Sequence, residues 1–336
     1  MGRPLPPVVW RPSLATTMES LTTGLASSVG GAGPGVPEES GGPDVSGSAA
    51  PVIVRLNRVD LVPRIPPPPT PRLAGGGPPI REHARQCLGV PVDLEPVERF
   101  EAAHARLDAA LPPGPGSLSE RLHSWNQAHA IPPERLPELA RLAIDETVTR
   151  TRAIVSLPDE VHVDVQMTPG AHRGQFTGGA RGIMHLSDGT PFNGADLLYV
   201  VAHEGFPGHI AESMLKSIHL ADHPEHRIRF MISPPFVVSE GIGLHAPGVA
   251  FPDDEGQRWL TEHVLAPLGI RPDGSDFAAV HDARNVLWGA VGNAAILAGE
   301  GRPDAEIADY LTSWALPSDA ETAWMLQALR SPSLGV

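Results

Sequence analysis

The stretch "GADLLYVVAHEGFPGH" (194–209) decides how the rest of the chain is read. Its apolar first part predicts a helix over 194–206 that runs directly into "HEGFPGH" (203–209). A His-Glu pair followed by a second His is the donor pattern of zinc hydrolases, in which two imidazoles hold the metal and the Glu works on a water. In the usual arrangement the two His stand four apart on an unbroken helix, about 40° from each other around the axis. Here they stand six apart. On a regular helix that spacing rotates the second ring by about 240°, largely away from the first. Pro207 removes a backbone donor and clashes with the preceding turn, and Gly208 accepts backbone angles that other residues avoid. Together they permit a local break or bulge that returns His209 to the face carrying His203.

Two ligands do not make a site. A hydrolytic zinc takes about three protein ligands and keeps an open position for water. "PPFVVSEGIGLHA" supplies Glu240, 31 residues after His209. It follows an apolar run and is expected to be carried inward with Val237 and Val238. A carboxylate there must be paired or metal-bound, because an isolated buried charge is costly. The competing explanation is that His203 and His209 are core histidines, in a chain with 15 of them, and that Glu240 caps a helix.

Around this centre the pattern is mostly helical. "PVERFEAAHARLDAALP" (96–112) spaces Val97, Phe100, Ala103, Leu107 and Leu111 by three or four residues, as an amphipathic helix does. "SLSERLHSWNQAHA" (117–130) is a second helix, with Ser117 and Glu120 as a capping box. A third spans 132–156, its Pro pair suiting a helix start. "EVHVDVQM" (160–167) alternates as a strand, and "GIMHLSDG" (182–189) reads as a second strand ended by a turn. Between them, "AHRGQFTGG" (171–179) is too Gly-rich for a regular element. An ordinary surface loop is the plainer reading; the alternative is a loop at the edge of a cleft, its glycines allowing close approach and His172 and Arg173 reaching toward a substrate. Helices follow in "AESMLKSIHLAD" and "SEGIGLHAPGVAF", and at 276–299 and 303–314. The fold class is therefore mainly α with one small β-sheet (α+β), the motif helix lying beside the sheet.

The chain has 336 residues, 41% of them hydrophobic, with 38 Pro and 35 Gly. Residues 1–50 are Gly-, Pro- and Ser-rich without lasting apolar period, and read as disordered. Residues 51–80 end in a Pro/Gly-rich linker, and 81–336 form the candidate catalytic domain. A formal charge of −14 disfavours nucleic acid and anionic membranes as partners. No stretch approaches the roughly 18 apolar residues of a membrane span. The single cysteine, Cys87, excludes an internal disulfide and leans toward a cytoplasmic setting; no nucleophilic part is expected of it. Nothing in the sequence sets an oligomeric state.

At the motif the chain resembles the bacterial metallohydrolase-like family known as domain of unknown function 885. Its members carry His-Glu-x-x-Pro-Gly-His and, about thirty residues later, Glu-Gly-x-Ala. "HEGFPGH" matches the first, and "SEGIGLHA" the second with Gly243 in place of Ala. The likeness extends loosely from about 82 to 332. It departs at Ile210, where the family often has a His, and at the end of the chain, where the family continues past "SPSLGV" into a helix bearing Tyr and Gly. The resemblance implies a helical zinc-peptidase-like fold with a small sheet edging the cleft. It also implies one zinc ion held by His203, His209 and Glu240, with Glu204 as general base and then acid, acting on a short peptide or peptide-like amide.

Further candidates surround this set. Tyr199 lies one helical turn before His203, on its face, and Arg284 sits in an otherwise apolar stretch where it must meet a carboxylate. Either could stabilise an oxyanion, while core packing and an internal ion pair are the plainer explanations. Tyr310, the other tyrosine, is read as packing, and His219, His223 and His226 as a solvated cluster. Two other functions stay open: a non-catalytic member that binds a ligand or partner, and a tailoring enzyme acting on a small metabolite.

Overall fold

Helices dominate because the apolar residues recur at three- and four-residue steps through most of the chain. The computed structural model describes residues 80–189, 191–227 and 233–330. The expectations for 1–50 and for nearly all of 51–80 lie outside these residues; Ile80, the last of the linker, already opens a helix. In chain order come α1 (Ile80–Leu88), α2 (Val97–Ala110), α3 (Leu118–Ala128), β1 (Ala130–Ile131), α4 (Leu136–Ile154), β2 (His162–Thr168), β3 (Arg173–Gly178), β4 (Arg181–Ser187) and β5 (Phe192–Asn193). Then follow α5 (Leu197–Glu204), α6 (His209–His219), α7 (Pro234–Ala250), α8 (Glu255–Leu260), α9 (Phe277–Gly299), α10 (Asp304–Trp314) and α11 (Asp319–Arg330). The fold is mainly α with two small sheets rather than one.

Local chemistry accounts for several boundaries. Ser117 accepts from the Glu120 amide while Glu120 accepts from the Ser117 amide, so the capping box forms and α3 starts after it. Helix α4 begins at Leu136, later than the Pro132-Pro133 pair, which lies in the preceding turn; Pro137 occupies its first turn instead. A 3-10 turn (Gly194–Asp196) leads into α5, with the Asn193 side chain accepting from the Ala195 amide.

The three-stranded sheet has the order β2-β4-β3. Strand β2 runs parallel to β4 in the register His162↔Arg181 to Thr168↔Ser187. Strand β3 runs antiparallel to β4, pairing Arg173↔His185 and Gly174↔Met184, with an irregularity between Phe176 and Gly178. The segment 171–179 is thus not a loop. Pairing with β4 supplies the hydrogen bonds that its own composition does not favour, and it becomes an edge strand.

Helix α5 packs against α4 and α7, and α6 packs against both β3 and α7. The principal core lies where these elements meet: Met184 and Leu186 from β4, Leu197, Leu198 and Val201 from α5, Phe206, and Ile210 and Met214 from α6. On α7, Val237 is buried as expected, but Val238 faces outward and is 59% exposed. Helix periodicity places adjacent residues about 100° apart, so the two valines cannot both follow Glu240 inward. Among the described residues no helix is long and apolar enough to cross a membrane.

Candidate metal centre

Helix α5 ends at Glu204, so His203 and Glu204 are its last two residues, and His209 is the first residue of α6. Between them the helix breaks completely, a larger rearrangement than the bulge that the spacing requires at minimum. The Phe206-Pro207 peptide bond is cis. Across the break the Gly205 amide donates to Val201 O at 2.8 Å and the Gly208 amide to Ala202 O at 3.0 Å. The Ala211 amide then returns to Gly205 O at 3.0 Å. These bonds satisfy backbone groups that a helix end would otherwise leave unmade. Gly208 is indispensable to the turn: a Cβ there would stand 1.8 Å from His203 O and 2.4 Å from Ala202 O.

The break brings the two rings together, edge to face, with centroids 4.7 Å apart at 84°. Glu240 reaches them from α7. His203 Nε2 lies 3.5 Å from Glu240 Oε2, and His209 Nε2 lies 3.4 Å from Glu240 Oε1. One donor atom from each residue falls within 4.8 Å of the others, close enough to hold a metal ion. Among the described residues this is the one such group. His209 and Glu240 are buried, whereas His203 is partly exposed, so the centre opens on its His203 side. His209 Nε2 is buried without a hydrogen bond.

Glu204 lies at the rim. Its Oε2 accepts the Gly174 amide at 2.7 Å, which ties the end of α5 to the edge strand. The approach is so close that a Cβ on Gly174 would stand 1.8 Å from Glu204 O. The glycines of 171–179 do allow a close approach, but the nearest neighbour is this helix end. Ile210 fills the space above the sheet, since Cβ atoms on Gly174 and Gly182 would both press on it. At the position where the resembled family often has a polar side chain, this chain has a fully buried anchor. Gly243 has a matching role: a Cβ there would come within 2.7 Å of the His203 ring.

The remaining candidates are distributed around this centre. Tyr199 is partly buried and stacks on His281, with centroids 4.1 Å apart. Burial, with Asp196, Asp282 and Asp276 nearby, pushes its phenol far above the usual range. His281 is driven the other way: burial, helped by Arg284 and His203, lowers its pKa to about 4 against the pull of Asp196. Arg284 donates to Asp196 at 2.5 Å, the carboxylate partner its apolar surroundings require. His172 accepts the Ser187 amide through Nδ1 at 3.0 Å, and burial lowers its pKa despite Glu204 and Asp196. Tyr310 accepts from Asn293 at 2.8 Å, in the packing between α9 and α10. His223 and His226 sit at the surface, and Cys87 is buried 3.7 Å from His83, one turn before it on α1.

Behind His209, sequence reasoning missed two groups. The Ser239 hydroxyl stands 3.2 Å from His209 Nδ1 and donates to Glu212 Oε2, and Glu212 pairs with Lys216. Serines and glutamates are common on helices, so neither carried a signal beyond its position next to Glu240 or one turn from His209. No protein-family model, curated protein or solved structure matches the chain.

Proposed function

We propose that the chain is a zinc-dependent hydrolase that cleaves an amide bond in a short peptide or peptide-like small molecule. One observation supports this reading: His203, His209 and Glu240, from three different helices, bring one ligand atom each within 4.8 Å of one another. Zinc bonds of about 2.0–2.1 Å at tetrahedral angles put neighbouring donors about 3.3–3.4 Å apart. His203 Nε2 lies 3.5 Å from Glu240 Oε2 and His209 Nε2 3.4 Å from Glu240 Oε1, each near that spacing, and all three donors lie within 4.8 Å of one another. Two imidazoles and one carboxylate favour zinc over calcium or magnesium, which take oxygen ligands. When bound, the ion supplies Lewis acidity that polarises a carbonyl and acidifies a water.

The chain's own residues do the rest. Glu204 removes the proton from the attacking water and later returns it to the departing amine. The Gly174 amide holds one of its oxygens, and the other makes no hydrogen bond among the described residues. Tyr199, held in its phenol form by burial, donates to the developing oxyanion. Arg284 adds positive charge to that side, partly offset by Asp196. An extended peptide can add to an edge strand through main-chain hydrogen bonds, and β3 is such an edge beside Glu204.

A panel of short peptides and acylated amines, supplied with zinc, tests the reading. Glu204→Gln is expected to lower kcat by about 10²–10⁴-fold while zinc stays bound. Hydrolysis that persists unchanged in Glu204→Gln would remove Glu204 from the chemistry, and a zinc-loaded protein inert on the whole panel would point to a binding role.

A further inference from the structure

We infer that Ser239 and Glu212 are positioning residues that fix the protonation pattern of His209, so that its Nε2 lone pair faces the metal position. The inference rests on the metal-centre reading above and deepens it.

Counting donors and acceptors carries the argument. Glu212 is buried on α6, one turn after His209, and pairs with Lys216 one turn further on. An ionised carboxylate can only accept hydrogen bonds. Ser239 therefore donates to it. A hydroxyl has one hydrogen, and in Ser239 it is already given to Glu212. Toward His209 Nδ1, 3.2 Å away, the Ser239 oxygen is left only to accept. Nδ1 must then carry the ring hydrogen. In a neutral imidazole this leaves Nε2 with its lone pair. That atom is buried, makes no hydrogen bond, and stands 3.4 Å from Glu240 Oε1. Two electron-rich atoms set this way repel each other unless a cation lies between them.

The placement follows from the helices. His209 and Glu212 are three residues apart and share one face of α6. Ser239 directly precedes Glu240 on α7. Each helix thus brings a ligand and a supporting group to the same crossing. Ser239, Glu212 and His209 are all buried, so little solvent competes with the relay. Groups that orient a metal-bound His through its second nitrogen are worth about 10–100-fold in metal affinity.

The test uses the full chain and zinc alone. Affinity is measured by competition with a chromogenic chelator for the native protein, Ser239→Ala, Ser239→Thr and Glu212→Gln. The cobalt(II) absorption spectrum of each, and the unfolding midpoint of each metal-free form, are recorded alongside. Ser239→Ala is expected to bind zinc about 10–100-fold more weakly, with Ser239→Thr restoring most of the loss. Glu212→Gln is expected to weaken binding as well, because an amide can donate to Ser239 and turn its hydrogen toward Nδ1. The metal-free midpoints should move far less than the affinities. If the native protein binds zinc and Ser239→Ala binds it equally well, the relay is wrong while the metal centre stands. Should Ser239→Ala fail to fold, an unchanged affinity in Glu212→Gln overturns the proposal in its place. A native protein that binds no zinc removes the centre and the relay together.

Discussion

Gly208 shows how much of this centre depends on one missing side chain. A methyl group at this position would occupy the space of two carbonyl oxygens, at 1.8 and 2.4 Å, so the turn cannot be kept by small adjustments. Gly208→Ala is expected to cost about 3 kcal/mol or more and to abolish zinc binding, because His209 loses its place opposite Glu240. Denaturant unfolding with a zinc titration checks this; a variant of native stability and affinity would contradict it. Gly243→Ala should be milder. Its Cβ meets a side-chain ring, 2.7 Å away at the nearest atom, and the ring can swing. A loss of zinc affinity of about tenfold, with little change in metal-free stability, is the expected result. At this scale the meeting of His203 and His209 was legible because Pro207 and Gly208 stand between them. Ser239 and Glu212 were not, since what they touch depends on how α6 crosses α7. Arg284 was half legible: the need for a carboxylate was plain, but Asp196 lies far from it in sequence.

Between elements, the decisive contact is that of the broken helix with the edge strand. Strand β3 escapes composition-based reading because its glycines look like loop residues. Their purpose is clear only from the far side: Gly174 makes room for the end of α5, and Gly174 with Gly182 makes room for Ile210. Ile210 is fully buried against the sheet, so Ile210→Ala is expected to cost about 2–5 kcal/mol through the cavity it leaves. A chemical denaturation midpoint within error of the native one would argue against this anchoring. The flanking helices α2 and α3 were easier to read, because amphipathic spacing and a capping box are local signals. The break after Glu204 was legible in kind from Pro207 and Gly208, though not in extent.

For the whole molecule, the half-buried His281 is expected to contribute an acid sensitivity to stability. His281 has a folded pKa of about 4 against an ordinary value of 6.5, so the folded state holds fewer protons than the unfolded state between those values. Its stability contribution is intact above about pH 6.5 and is lost as pH falls toward 4, a change of up to about 3 kcal/mol. Denaturant unfolding of the metal-free protein at pH 7.5 and 4.5 should show this loss, and His281→Asn should reduce it; equal losses in both would assign the acid sensitivity elsewhere. The acidic balance of the chain, by contrast, bears on its partners and not on its fold. The proposed metal centre requires helices α5, α6 and α7 to be assembled around one ion. Elemental analysis of the purified protein after zinc loading and dialysis, beside His203→Ala and Glu240→Ala, tests it most directly. About one zinc per chain is expected in the native protein and little in either variant. Native protein that retains no zinc, or variants that retain as much as the native chain, would contradict it.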